Sequence, residues 1–258
     1  MSVRLVVLGS GTCVPRRRRG PAGYAVEAGR YRILIDSGSG TLGRLAAAGH
    51  DYRELSHALY THTHVDHTAD LGPLLFALEY TPGFRREAPL ALLGPRGFPE
   101  FVDRLAQAWP WILPESRWLE IDEIHEETRA WDALAVSARA VAHGELPANA
   151  YRLEIEGRSI VFSGDTRSCP AIVEIARDAD LLVIEASLPE GPAGTDVHLT
   201  AAQAGQIAAR ASAKRVVLTH LYPACDEVDM VARCRSEYDG EVTIAEDLMS
   251  IELGARPE

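Results

Sequence analysis

Three things are in short supply in this chain, and each scarcity closes off a class of protein. The four cysteines, Cys13, Cys169, Cys225 and Cys234, are scattered with no Cys-x-x-Cys pair among them, so no disulfide framework is expected. Long apolar runs are missing as well. The opening Met1–Leu8 stretch is too short and too interrupted for a signal peptide, and no run elsewhere could span a bilayer. The expectation is a cytoplasmic protein with no membrane partner. Positive charge is the third deficit. With 26 Lys and Arg against 37 Asp and Glu the net charge is −11, which removes general attraction to nucleic acid or anionic lipid as a default. A polyanionic substrate would have to be drawn by a local patch. Repeats, low-complexity tracts and linkers are likewise missing. The 258 residues, 47% of them hydrophobic, suffice for a sizeable core in one domain spanning 1–258.

What the chain has in one place is histidine. Thr61-His62-Thr63-His64-Val65-Asp66-His67 packs three of the nine His and a carboxylate into six positions, directly after the apolar Ala58-Leu59-Tyr60. Three imidazoles beside an Asp are costly to bury without a partner, and a cation satisfies all four at once. The donors are nitrogen and oxygen with no sulfur, a set that suits zinc, manganese or iron. In an extended segment residues i and i+2 point the same way, so His62 and His64 converge on one point. Asp66 and His67 fall where a helix could start and aim at a neighbouring point.

Three further polar residues end buried strands: His143 after Val141-Ala142, Asp165 after Val161–Gly164, and His220 after Val217–Thr219. Strand ends collect site residues because the strand fixes the side chain while the loop gives access. Each alone reads more readily as a hydrogen-bonded loop residue. Together with the cluster they supply seven ligands, the number for two cations sharing one bridging carboxylate plus water.

The surrounding pattern alternates strands and helices. Val3–Leu8 is a buried strand closed by Gly9-Ser10-Gly11-Thr12, a tight turn that lacks the third glycine of a dinucleotide fingerprint. Gly23–Glu27 and Tyr31–Ile35 form a hairpin, and Asp36-Ser37 supply good helix-starting residues for a helix stopped by Gly49. Helices are expected over Leu71–Tyr80, Gly97–Ala108, Ile172–Ala176, Ala201–Ala211 and Val228–Tyr238. Strands are expected at Pro89–Leu93, Leu119–Ile121, Ala133–Val141, Ala150–Ile155, Ser159–Phe162, Leu181–Ile184, Arg215–Leu218, Glu241–Ile244 and Leu248–Ile251. Two sheet-rich halves with interleaved helices predict an α/β protein built as a four-layer αβ/βα sandwich. Two loops stay open in meaning. Arg16-Arg17-Arg18-Arg19, bounded by Pro15 and Pro21, is either a solvated loop or the anion-binding patch of an acidic protein. Trp109-Pro110-Trp111 is either a packed corner or a wall of the substrate cleft.

His62-x-His64-x-Asp66-His67 followed in order by His143, Asp165 and His220 resembles the metallo-β-lactamase-fold hydrolase superfamily, and the resemblance runs from the Leu8–Gly11 turn to the last strand. It implies that His62, His64 and His143 hold a first metal, that Asp66, His67 and His220 hold a second, and that Asp165 bridges them. A finer likeness lies in His198-Leu199-Thr200-Ala201-Ala202, some two dozen residues ahead of Leu218-Thr219-His220. It is similar to the ribonuclease Z branch and implies that His198 is a catalytic histidine outside the ligand set; the competing reading is that His198 caps the helix beginning near Thr200.

Two departures stand beside that match. The tRNA-processing members carry a long arm between the equivalents of His143 and Asp165, where this chain has room only for a hairpin. Leu221-Tyr222-Pro223 also follows His220 where those enzymes have a serine and an Arg-Tyr pair. The outline is closer to members of the branch that cleave small or cyclic phosphodiesters.

The resulting expectation is a phosphodiesterase with two divalent metal ions, zinc with manganese or iron as variants, acting through a metal-bridging hydroxide. Asp66 and His198 are its catalytic residues, Arg16–Arg19 its substrate-binding patch, and a small phosphodiester or RNA its substrate. The branch implies a homodimer. The alternatives are a lactone, ester or thioester hydrolase on the same metals and a non-catalytic metal-binding module.

Overall fold

The computed structural model describes residues 2–114, 118–190 and 196–254. Its first half opens with strands whose side chains are buried on both faces. β1 (Val3–Gly9), β2 (Gly23–Ala28) and β3 (Tyr31–Ser37) are joined antiparallel, and β4 (His57–Leu59), β5 (Leu90–Gly94) and β6 (Leu119–Glu123) extend the sheet in parallel. The second half repeats the logic. β7 (Thr128–Trp131), β8 (Leu134–His143), β9 (Leu146–Ile155) and β10 (Arg158–Phe162) are antiparallel, while β11 (Leu181–Glu185), β12 (Arg215–Thr219) and β13 (Glu241–Ile244) add on in parallel. The last strand, β14 (Ser250–Leu253), returns to the edge beside β1, so each sheet has seven strands among the described residues.

Helices cover the outer faces. α1 (Thr41–Ala47), α2 (Val65–Thr68), α3 (Leu71–Tyr80) and α4 (Phe98–Ala108) belong to the first sheet. α5 (Pro170–Ile175), α6 (Ala201–Ala211) and α7 (Met230–Arg235) belong to the second. The core divides into three spaces accordingly. One lies between the sheets, around Ile33, Tyr151, Leu153 and Phe162. The second lies under α5–α7, around Ile172, Leu182 and Ile207, and the third under α1, α3 and α4, around Leu34, Leu75 and Phe98. Three interlayer cores make four layers, which is the expected αβ/βα sandwich.

Polar contacts join the sheets near one end of the inner core. Tyr24 and Thr219 share a hydrogen bond of 2.8 Å between hydroxyls, Asn149 N–H donates to the Thr61 carbonyl, and the Tyr151 hydroxyl donates to the Tyr60 carbonyl. Each contact is buried, so together they fix how the two halves meet. At that same end the carboxyl termini of β4, β8, β10, β11 and β12 come together, the place where open α/β sheets put their ligands.

Several elements differ from the sequence expectation. β7 is a short edge strand whose alternation the reading passed over. The helix expected over Val228–Tyr238 is only Met230–Arg235, because Asp229 caps it by accepting from Ala232 N–H, and Pro223–Glu227 forms a separate 3₁₀ turn. The final strand begins at Ser250 rather than Leu248, since Leu248 takes φ 66° and turns the chain first. Asp36 and Ser37 do not start α1. Gly40 precedes that helix, and its free amides at Gly40 and Leu42 donate to the Asp70 carboxylate, which reaches over from the start of α3.

Candidate active site

β4 ends at Leu59, and Tyr60–His64 carry the chain through a bend at Thr61 to the start of α2. His62 and His64 point into one space. His143 at the end of β8 joins them. His64 Nδ1 lies 3.1 Å from His62 Nε2 and 3.2 Å from His143 Nε2. The first turn of α2 delivers the second group, in which His67 Nε2 and His220 Nε2 stand 3.3 Å apart and His220 Nε2 is 3.5 Å from an Asp66 oxygen. Asp165, on the loop after β10, sits between the groups. Its oxygens lie 3.7 Å from His62, 4.0 Å from His143, 3.4 Å from His67 and 3.5 Å from His220. All seven expected ligands thus converge, in two sets that share Asp165.

The outer nitrogens of these rings show what the inner ones are. His67 Nδ1 donates to Asp36 at 2.8 Å, and His143 Nδ1 donates to the Val197 carbonyl at 3.0 Å. The Thr61 hydroxyl donates to Asp36 and so accepts from His62 Nδ1 at 3.1 Å. The Nδ1 proton of His62, His67 and His143 is thereby fixed, and Nε2 is the nitrogen turned inward. Ring nitrogens facing one another at 3.1–3.3 Å repel unless a cation or a proton lies between them. The cluster fits metal ions on that ground, and its nitrogen and oxygen donors fit zinc. Electrostatics follow. Burial, then the neighbouring His67, holds His62 well below the usual imidazole range, and burial lowers His64. Burial also opposes charge on His67, but Asp165 and Asp36 outweigh it and lift His67 well above the ordinary value. Asp165 is held well below the usual carboxylate range: burial opposes this, and His220, His67 and His62 override it.

His198 stands at the rim of the cluster, its ring centroid 5.2 Å from His143 and 5.6 Å from His220. It does not cap α6. Thr200 does, accepting from Gln203 N–H while the Gln203 side chain accepts from Thr200 N–H. His198 Nδ1 instead faces both oxygens of Glu185 at 3.2 Å. Burial opposes charge on His198, but this hydrogen-bonded carboxylate prevails and raises its pKa.

The arginine loop lies next door. It lines a cavity of about 540 Å³ with Arg16–Arg19, Arg44, Asp226, Glu246 and Asp247. Arg16 pairs with Asp226 and donates to the carbonyl of Leu221, one residue beyond His220. Arg19 donates to Ser10 and the Ala245 carbonyl, leaving Arg17 and Arg18 as the exposed cations of the loop. The Gly9–Gly11 stretch packs directly on this loop: a Cβ at Gly9 would lie 1.8 Å from the Pro21 carbonyl oxygen, so the glycine serves the close approach of two backbones. Trp109 and Trp111 wall an apolar groove of about 330 Å³ with Gly72, Phe76 and Ile112, and none of the convergent residues lines it.

Three residues were passed over in the sequence. Glu185 ends β11 just as His143 ends β8, so the strand-end criterion applied equally to it. Asp36 reads as a helix starter in the sequence, yet it sits at φ 54°, a conformation costly outside glycine and characteristic of functional sites, and accepts from Thr61 and His67. Ser187 carried no signal.

The fold and the two-part cluster define a class. Residues 31–221 match the family model described as a beta-lactamase superfamily domain. A ribonuclease Z of Mycobacterium marinum is 32% identical over 98% of this chain and 100% of its own length. The chain therefore belongs to the beta-lactamase superfamily and is a metal-dependent hydrolase of ribonuclease Z-like type. In fold it is similar to the metallo-beta-lactamase fold protein YhfI from Bacillus subtilis, with a TM-score of 0.83 at 23% identity over 97% of this chain and 99% of that one. The human short-form tRNase Z gives 0.77 at 23% identity over 96% and 98%. No helix among the described residues is long and apolar enough to cross a membrane.

Proposed function

We propose that this chain is a phosphodiesterase that uses two divalent cations, zinc best matching the donors, on an RNA strand or a smaller phosphodiester. The observation that carries the reading is His198 held by Glu185 at the rim of the double cluster. That pair would serve as the proton donor to a leaving oxygen. His62, His64 and His143 would hold the first cation, Asp66, His67 and His220 the second, and Asp165 both. When bound, the pair of cations supplies acidified water and neutralises charge on the phosphoryl oxygens of an in-line displacement.

The protein residues do the rest. Asp66 orients the attacking water, which gives up a proton to solvent as its oxygen bonds to phosphorus and the bond from phosphorus to the leaving oxygen breaks. Glu185 fixes His198 through Nδ1–H and stabilises its charged form, so the opposite ring nitrogen gives its proton to the departing alkoxide. The products are a phosphomonoester and an alcohol. Arg17 and Arg18 attract a flanking phosphate of a longer substrate. β8 and β9 are joined by Gly144 and Glu145 alone, so no arm reaches from this hairpin toward a tRNA elbow, and substrates need only the centre and the arginine loop.

In the metal-loaded protein His198→Ala should lower kcat on bis(p-nitrophenyl) phosphate by roughly 10²–10⁴ with metal content intact. An unchanged kcat would remove His198 from the mechanism. Profiling a pre-tRNA with a 3′ trailer, cyclic nucleotides and a lactone on the same preparation assigns the substrate class.

A further inference from the structure

His220 is anchored through a hydroxyl rather than directly by a carboxylate or a carbonyl. It follows β12 at φ 55°, and its Nδ1 faces the hydroxyl of Ser187 at 3.0 Å. Ser187 Oγ lies 2.5 Å from Glu185 Oε2. Both oxygens of that carboxylate already accept backbone amides, Oε1 from Thr166 N–H at 2.6 Å and Oε2 from Leu199 N–H at 3.1 Å. Glu185 is therefore an acceptor, and the Ser187 proton must point at it. The serine oxygen is left with its lone pairs toward His220 and can only accept there. Ser187 and Glu185 are 0% and 1% exposed, so water does not offer either group an alternative.

We infer that Ser187 is a positioning residue for the second metal position. Its hydroxyl, oriented by Glu185, holds His220 with Nδ1 protonated and Nε2 bare toward Asp66 and Asp165. The same carboxylate holds His198, so one buried group sets both the last ligand and the proton donor. Asp36 plays a like part for one ligand of each set: it holds His67 directly and His62 through the Thr61 hydroxyl. The Cys225 thiol donates to the Ser187 carbonyl at 3.1 Å and helps fix the backbone there. The inference rests on reading His220 as a metal ligand, and its test uses no substrate.

Zinc titration of the full chain against a chromophoric chelator reads the two equivalents separately. Ser187→Ala should weaken the second equivalent 10–100-fold, about the effect of losing an outer-shell partner, and leave the first unchanged. Ser187→Thr, which keeps the hydroxyl, should restore it. An unchanged second equivalent, or equal weakening of both, overturns the role. Should the alanine variant fail to fold, ¹⁵N spectra of the zinc-loaded wild type decide: Nδ1 of His220 protonated supports the relay, and Nδ1 bare refutes it. A protein that binds two zincs in this way yet cleaves no phosphodiester would leave the inference standing and overturn the proposed function instead.

Discussion

Asp36 and Glu185 each hold one imidazole directly and a second through a hydroxyl, so two buried carboxylates orient four of the imidazoles around the cluster. This layer was the least legible part of the site. His62, His64, Asp66 and His67 announce themselves by spacing, whereas an Asp or Ser at a strand end looks the same whether it faces water or a ligand. A contrasting histidine shows the cost of lacking such a partner. His57, at the start of β4, is 5% exposed, stacks edge-on against Trp131 at 4.7 Å, and its Nε2 has no hydrogen-bond partner among the described residues. Burial pushes its pKa down to about 4. The unfolded chain takes up this proton near the ordinary value of 6.5 and the folded chain only near 4. Stability is thus complete above pH 6.5 and falls as the pH drops through that window, by about 3 kcal/mol at its end. Urea unfolding of wild type and His57→Phe across pH 4–7 checks this. The variant should lose the dependence that belongs to this group, and parallel curves would rule it out.

At the level of elements, the helices and strands with strong patterns were readable and the turns between them were not. Leu71–Tyr80 and Ala201–Ala211 appear as expected because an apolar face and a capping box are local signals. The cap of α1 is not local: its amides are satisfied by Asp70, thirty residues away from Gly40 in sequence. The loop after β10 is another long-range case. Gly164 takes φ 56°, and a Cβ there would lie 2.8 Å from Thr61 Cβ and 2.9 Å from the Asn149 carbonyl oxygen. Gly164→Ala should therefore push the Asp165 loop away from the Thr61 relay. The expected result is a loss of about 1–3 kcal/mol in unfolding free energy together with weaker zinc binding. Full metal affinity in a destabilised variant would show that the loop moves without its carboxylate.

On the scale of the whole molecule, the four layers were foreseen from two strand-rich halves, and the way those halves meet was not, since Tyr24–Thr219 and Tyr151–Tyr60 are contacts between distant strands. In this acidic chain the arginine loop is a local exception whose Arg16 and Arg19 are largely committed to structure, which leaves Arg17 and Arg18 to meet a polyanion. Replacing both by alanine should weaken binding of single-stranded RNA and reduce the slope of log K against log salt by about 1.4, the value for two phosphate contacts on a single strand. An unchanged slope would return the loop to a purely structural role.

The central claim is that a pair of cations held by these seven residues cleaves phosphodiesters. It is tested most directly by initial rates on bis(p-nitrophenyl) phosphate and on a p-nitrophenyl carboxylic ester, measured on chelator-stripped protein during stepwise addition of zinc. Diester turnover that is negligible in the stripped protein and rises to its maximum at two equivalents is the predicted result. Full diester turnover at one equivalent, or ester turnover without diester turnover, would contradict it.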